Sequence, residues 1–177
     1  LTDSEIATQL VCEFVGGTET VPKITAHGLM ELAHHPDQLA AVWADLDVNV
    51  PIVVEEMIRY CAPAQWFVRT AHKDVTVAGQ AIKVGQRILV LYGSAARDEA
   101  EFDRPDDFIW NRPIKRVLSF GFGQHFCTGV HLARLEVRTL VRRFLERVDD
   151  FSFDLDQAVR WPSSFQWGWN NLPVIIG

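Results

Sequence analysis

The chain has 177 residues, of which 48% are hydrophobic and 23% are charged, a composition typical of one globular domain with its own core. Its 17 Lys and Arg against 23 Asp and Glu give a formal charge of −6, which argues against a nucleic-acid partner. No apolar run is long enough to cross a bilayer and no secretory signal opens the chain, so we expect no membrane association.

The cysteines also favour a cytoplasmic protein. Cys12, Cys61 and Cys127 are odd in number and widely spaced, which suits a reducing compartment better than a disulfide framework. The chain begins at Leu1 without an initiator Met, so we expect further residues of the gene product upstream.

The first predicted element is a long helix that begins at the capping box Thr2-Asp3-Ser4-Glu5 and continues to His35. Its apolar residues lie on more than one side, which is typical of a helix buried in the centre of a larger body. They are Ile6, Leu10, Val11, Phe14, Val15, Ile24, Leu29, Met30 and Leu32.

The middle of this helix is unusual. The pair Gly16-Gly17 weakens a helix and indicates close approach by a bulky group or by another helix. Pro22 has no N–H, so the Thr18 carbonyl loses its donor. We therefore predict a kinked or widened helix between Gly17 and Pro22.

The remaining chain predicts a mainly α fold with small β-sheets. Residues 99–118 carry Pro105 and Pro113 but little periodicity, which indicates an ordered loop. The other expected elements are helices over Pro36–Trp43, Pro51–Tyr60 and Thr128–Arg147, strands over Val68–Thr70, Val75–Val77, Ala81–Lys83 and Ile88–Leu91, and short strands near Phe151 and Val174. In the last helix, the predicted apolar side consists of Leu132, Leu135, Leu140, Val141, Phe144 and Leu145.

The segment from Phe120 to Gly129 carries the most chemistry. Its alternating glycines permit tight backbone turns and close approach to a flat ligand, and Cys127 lies at the entrance of a helix, whose positive end favours a thiolate. Two other interpretations stay open for the residues alone. Cys127 is either a small buried apolar residue, or part of a zinc site with His125 and His131, although no fourth ligand has the usual spacing.

The string F-G-x-G-x-H-x-C-x-G over 120–129 is similar to the haem-binding loop of the cytochrome P450 family. The resemblance implies that Cys127 is the axial ligand of the iron of haem b and that His125 contacts a haem propionate. It also places Phe120, Gly121 and Gly129 in the cofactor-binding loop.

Gly16-Gly17-Thr18-Glu19-Thr20 resembles the oxygen-activating stretch of the same family. The resemblance implies that Glu19 and Thr20 are the acid-alcohol pair that relays protons, a form of general acid catalysis. Read without the resemblance, the stretch is a helix-packing notch with one solvated acid. Val21 stands where the family often has a second hydroxyl residue, which removes one possible polar helper.

Three charged residues match the family's structural triad. Glu56 and Arg59 share one helical face, and read alone they form an ordinary exposed ion pair. The resemblance implies that Arg112, in the long loop with Phe102, Pro105 and Phe108, completes the triad and locks the loop behind the cysteine. It further implies that Arg69, otherwise a solvated strand residue, pairs with a haem propionate.

The resemblance covers the chain from Leu1 to about Gly177, and it corresponds to the C-terminal part of a single P450 domain whose N-terminal part is absent. It implies a monooxygenase that inserts one oxygen atom of dioxygen into a hydrophobic small molecule. Electrons would come from a ferredoxin or ferredoxin reductase-type donor. The acidic donor would dock on an arginine stripe of the last helix, which without the resemblance is simply a solvated helix face: Arg134, Arg138 and Arg142. The expected substrate pocket includes Val15, Gly16, Ala64, Gln65 and Trp167. The alternative is a truncated, non-catalytic piece of such an enzyme, acting at most as a remnant or binding module.

Overall fold

Five α-helices, one short 3-10 helix (Gly123–His125) and eight short strands make up the fold. The computed structural model describes all 177 residues. Its helices are α1 (Asp3–His34), α2 (Pro36–Trp43), α3 (Leu46–Cys61), α4 (Tyr92–Ala95) and α5 (Val130–Leu145). Its strands are β1 (Trp66–Thr70), β2 (Val75–Val77), β3 (Gln80–Ile82), β4 (Arg87–Leu91), β5 (Phe151–Phe153), β6 (Val159–Arg160), β7 (Trp169–Asn171) and β8 (Val174–Ile176). The predicted mainly helical fold with small sheets is confirmed.

Helix α1 begins with the predicted capping box. The Thr2 hydroxyl accepts from the Glu5 amide at 3.3 Å, and the Glu5 carboxylate accepts from the Thr2 amide at 2.7 Å. The helix continues without a break through Pro22, and the local distortion expected there stays a prediction. Its two halves differ in burial, because residues 3–18 are exposed whereas buried residues begin at Val21.

The hydrophobic core lies where the C-terminal half of α1 packs against α3 and α5. Leu32, Val54 and Val141 from these three helices have no exposed surface and belong to one cluster of 17 buried residues. Helix α2 closes one side, where the Trp43 indole donates to the Leu145 carbonyl at 3.1 Å. No helix combines the length and apolar content that a membrane crossing requires.

Two helix predictions were wrong in detail. Helix α3 begins at Leu46, not near Pro51, because the Asp45 carboxylate caps it by accepting from the amides of Asp47 and Val48. In α5 the core-facing residues are Val130, Val137, Val141 and Leu145, whereas the predicted Leu132, Leu135 and Leu140 are exposed. Helix α5 has more than one apolar face, and only one of them meets α1 and α3.

All four sheets are antiparallel pairs: β1 with β4, β2 with β3, β5 with β8, and β6 with β7. The first three involve strands that the sequence predicted, whereas β6 and β7 were not predicted. The segment between β6 and β7 returns to the start of β1, since Ala64 forms a β-bridge with Gln166.

Candidate functional site

The loop before α5 presents Cys127 on a tightly turned backbone. Gly121 and Gly123 adopt φ of +76° and +69°, a region that favours glycine, and a Cβ at Gly121 would lie 3.0 Å from the His125 carbonyl oxygen. The Cys127 amide donates to the Phe120 carbonyl at 2.9 Å, which closes the loop. The positive φ angles favour glycine at both positions, so the backbone turn accounts for the two glycines independently of any close approach by a ligand.

The three cysteines differ in environment. Cys61 is fully buried and its thiol lies 3.9 Å from the Ile24 carbonyl oxygen; burial raises its pKa well above the usual range, so it stays a neutral thiol. Cys12 is exposed on α1. Cys127 alone is half-buried at a helix entrance, three residues before Val130, and no side chain or carbonyl hydrogen-bonds to its sulfur. Its sulfur is therefore open to an outside ligand.

The zinc alternative fails on geometry. The structure has no group of three or more His, Cys, Asp or Glu side chains that could hold a metal ion. His125, Cys127 and His131 are therefore not assembled into a site, and Cys127 can supply a single ligand only.

Several residues of the structure have the chemistry to hold a flat apolar group that carries carboxylates. Phe122 and Phe126 are 83% and 45% exposed beside it, so apolar surface faces outwards. Arg69 on β1 is half-buried, forms no ion pair with an acidic side chain, and donates only to the Val68 carbonyl at 3.1 Å. His125 is exposed and its ring makes no hydrogen bond. A single soft thiol, apolar rings and two uncommitted cationic or polar donors match the demands of haem.

Glu19 and Thr20 are adjacent on α1, but no hydrogen bond joins their side chains. The Thr20 hydroxyl donates to the Gly16 carbonyl at 3.1 Å, within its own helix. The Glu19 carboxylate instead forms an ion pair with Lys23, one turn further along. Both side chains lie at the boundary between the exposed and buried halves of α1.

The expected pocket residues divide into two groups. On α1, Val15 is 46% exposed and a Cβ on Gly16 would meet no atom within 4 Å, so this side is open. The other three residues are engaged in packing. Ala64 forms a β-bridge with Gln166, and the side-chain amide of Gln65 donates to the Ala62 carbonyl at 2.6 Å. The centre of the Trp167 ring lies 4.0 Å from the centre of the His27 ring. Their place in a substrate pocket stays a prediction.

The structure brings Glu56, Arg59 and Arg112 together in a buried cluster. Arg59 donates to Glu56 from two nitrogens at 2.7 and 2.8 Å, and Arg112 Nε lies 3.1 and 3.2 Å from the same carboxylate oxygens. Both guanidinium groups also donate to the Asp107 carbonyl, and the Ile109 amide donates to Glu56. The cluster thereby fixes the 103–109 loop to α3, and its role in holding the loop behind the cysteine stays a prediction.

The arginine stripe on α5 is largely neutralised by local acids. Arg134 and Arg138 both pair with Glu55 of α3, at 2.8 and 3.0 Å, while Arg142 pairs with Asp47 and Glu146. Arg143 also pairs with Glu146, at 2.8 Å, and Arg147, just after the helix, is exposed. Docking of an electron donor on this stripe stays a prediction, and the ion pairs weaken the field that would attract it.

Sequence reasoning missed Lys23 and His27, both on α1. Lys23 follows Glu19 by four residues, the spacing at which opposite charges meet on a helix, so the signal was available. His27 and Glu31 share the same spacing, with 3.1 Å between His27 Nε2 and Glu31 Oε1. Their burial could not be read from the spacing.

Comparisons with known proteins agree with this geometry. The family model described as Cytochrome P450 matches residues 1–173. The chain is 41% identical over 177 residues to "Putative cytochrome P450 123" of Mycobacterium tuberculosis and 35% identical to "Steroid C26-monooxygenase" of Mycolicibacterium smegmatis. In each case the alignment covers 99% of this chain and 44% of the relative.

Solved structures give the same result. The chain superposes on P450BioI, solved in complex with hexadec-9Z-enoic acid ligated acyl carrier protein, with a TM-score of 0.93 and 32% identity over 100% of this chain and 46% of that one. It matches CYP109E1 from Bacillus megaterium, solved with testosterone, with a TM-score of 0.91 and 28% identity over 99% and 49%. The chain thus spans about half the length of the proteins it matches, and it belongs to the cytochrome P450 family.

Proposed function

We propose that the chain is the C-terminal part of a single P450 domain and carries the haem-thiolate half of a monooxygenase. The observation that carries this proposal is the Cys127 loop. Its sulfur lies unpartnered at the entrance of α5, on a backbone turned by Gly121 and Gly123. A match over 44% of the length of the relatives supports the assignment to one part of a larger domain.

In this proposal the cofactor is haem b, which when bound supplies an iron that activates dioxygen. Cys127 would be the protein ligand of the iron, and the loop residues Phe120, Gly121 and Gly129 would help to hold the cofactor. Arg69 and His125 hold the propionates through charge-assisted hydrogen bonds. The absence of an acid partner for Arg69 supports this role, because its guanidinium is free for a carboxylate.

Glu19 and Thr20 would hold and move the protons that the reaction needs. The Thr20 hydroxyl is held at a fixed place by the Gly16 carbonyl, and it can pass a proton towards the reacting oxygen. Glu19 is the acid that resupplies it through water, since the two side chains do not touch.

The proposed reaction inserts one oxygen atom of dioxygen into a hydrophobic small molecule. Val15, which is exposed beside Gly16 on α1, supports an apolar substrate. Electrons come from a ferredoxin-type donor, for which the exposed Arg147 offers a basic contact.

The test is the absorption spectrum of the longer protein that contains this chain. Reduced and treated with carbon monoxide, it should show a thiolate-type Soret band, and Cys127→Ser should abolish that band. Cys12→Ser and Cys61→Ser are the matched controls, since a serine hydroxyl in place of the Cys61 thiol would keep a donor near the Ile24 carbonyl. A band that survives Cys127→Ser would overturn the proposal.

A further inference from the structure

Lys23 on α1 lies between two parts of the site. Its ammonium group forms an ion pair with the Glu19 carboxylate and also donates to the Glu19 carbonyl at 3.2 Å. Only 10% of the Lys23 side chain is exposed. Two contacts to one residue, made by a mostly covered side chain, restrict the carboxylate more than a surface ion pair does.

The C-terminal hairpin of β6 and β7 holds Lys23 from the other side. Gly168 leaves space for the lysine methylenes, because a Cβ there would lie 2.7 Å from Lys23 Cγ. The Lys23 ammonium lies 5.4 Å from the centre of the Trp161 ring, within the range of a cation–π contact. Trp161 and Gly168 are joined by a backbone hydrogen bond of 3.0 Å, so they form one side of a single contact surface.

We propose that Lys23 is a positioning residue for proton supply: it fixes the direction of the Glu19 carboxylate, and the C-terminal hairpin fixes Lys23. This inference rests on the proposed function. Successive helix residues point about 100° apart, so Glu19 and Thr20 cannot face the same point unaided. A proton that moves between them through water depends on where the carboxylate is held, and small displacements of a catalytic group are costly.

The same hairpin is bonded to the segment that precedes β1. The backbone N–H of Trp167 donates to the Pro63 carbonyl, and the backbone N–H of Gln65 donates to the Phe165 carbonyl, both at 2.8 Å. Residues 63–65 and 165–167 are where we expect substrate contacts. Lys23 therefore connects the proposed acid to the substrate side through a chain of direct contacts.

The experiment compares variants of the full-length holoenzyme. In Lys23→Met we expect product formed per electron pair consumed to fall by about threefold or more, with a larger solvent isotope effect on turnover and an unchanged dissociation constant for substrate. Lys23→Arg should retain most of the coupling because it keeps the charge. The matched control is Lys83→Met, which removes an ion pair with Asp74 far from α1.

Gly168→Ala tests the hairpin contact independently, because the new methyl group displaces the Lys23 methylenes. We expect a similar loss of coupling, and no further loss when Gly168→Ala is added to Lys23→Met. As a readout without turnover, amide hydrogen exchange over residues 161–169 should accelerate about fivefold in Lys23→Met and stay unchanged in Lys83→Met.

The outcomes separate this inference from the proposed function. Unchanged coupling and isotope effect in Lys23→Met, in a protein with a normal thiolate spectrum, would overturn the role of Lys23 and leave the monooxygenase assignment intact. Equal losses in Lys83→Met, or fully additive losses with Gly168→Ala, would also overturn it. A wild-type protein without the thiolate spectrum would overturn both.

Discussion

The imidazole of His27 lies against the indole of Trp167, with 4.0 Å between the ring centres and 53° between their planes. His27 is 2% exposed, and its other neighbours are the Glu31 carboxylate and the edge of Tyr60. Burial lowers the pKa of His27, and Arg160 and Arg97 add to this effect, while Glu31 opposes it. The folded protein therefore favours the neutral ring, which joins α1 to the C-terminal hairpin.

The first prediction concerns acid stability. The pKa of His27 is lower in the folded chain than in the unfolded chain, where it is about 6.5. The stabilisation that the neutral ring gives to the folded chain is therefore complete above about pH 6.5, and it is lost as the pH falls below that value. In His27→Gln, the decline of the unfolding free energy between about pH 6.5 and 5 should become shallower, by at most about 1.4 kcal/mol per pH unit. Denaturant titrations over this range measure the slope. His72→Gln, on an exposed residue, is the control and should leave the slope unchanged.

A second prediction concerns the buried triad. Glu56→Gln removes the charge that Arg59 and Arg112 share, and leaves two buried guanidinium groups without a carboxylate. We expect a loss of about 3–5 kcal/mol of unfolding free energy. Glu101→Gln, which breaks the exposed pair with Arg116, should cost far less, because water and salt screen an exposed ion pair. Equal losses in the two variants, measured by chemical denaturation, would contradict a stabilising role for the triad.

A third prediction concerns Thr20 in the full-length enzyme. Thr20→Ala removes the hydroxyl that the Gly16 carbonyl holds, so proton delivery to the productive oxygen should fail more often. Electrons should then be spent on peroxide or water, and the product formed per electron pair should fall by about tenfold. Thr20→Ser keeps a hydroxyl at this place and should retain coupling. Peroxide and product are measured in the same reaction, and an unchanged ratio in Thr20→Ala would remove Thr20 from the mechanism.

The parts of the fold that sequence predicts well depend on local interactions. The capping box at Thr2 and Glu5 and the strand pair β2–β3 involve residues close in the chain, so their signals are complete within a short window. The start of α3 was placed at Pro51 because the cap at Asp45 was overlooked, and Pro51 in fact lies inside the helix. The buried face of α5 could not be chosen from the sequence, because Leu135 and Val137 are both apolar and only the packing partner distinguishes them.

In the candidate site, too, local signals can be read from the sequence and long-range contacts cannot. The motif around Cys127 is contiguous, so the sequence alone names its residues. The pairing of Arg134 with Glu55 spans 79 residues, and only the folded chain shows that this arginine is committed. The Trp167 ring packs between His27 of α1 and Arg160 of its own hairpin, and the contact with His27, which is 140 residues away in the chain, could not be read from the sequence.

The final prediction concerns residues 1–177 expressed alone. The N-terminal half of α1 presents an apolar surface of five residues: Ile6, Leu10, Val11, Phe14 and Val15 are 44–71% exposed. At about 25 cal/mol per Å2, a few hundred Å2 of wet apolar surface costs several kcal/mol, comparable with the ~5–15 kcal/mol stability of a whole domain. We propose that in the full protein the N-terminal part of the same fold covers this surface apart from Val15, which faces the substrate, and we expect the isolated chain to self-associate through it.

Sedimentation velocity at micromolar concentration measures this association. The double variant Leu10→Gln and Phe14→Gln should shift the isolated chain towards monomer, because it removes the two most exposed apolar side chains of the α1 surface. The matched control is Val77→Gln with Val84→Gln, since these valines are 56% and 61% exposed on the β2–β4 side of the molecule. This control should not reduce association. A monodisperse monomer of the unaltered chain, with haem bound and normal coupling of turnover, would show that no covering part is needed.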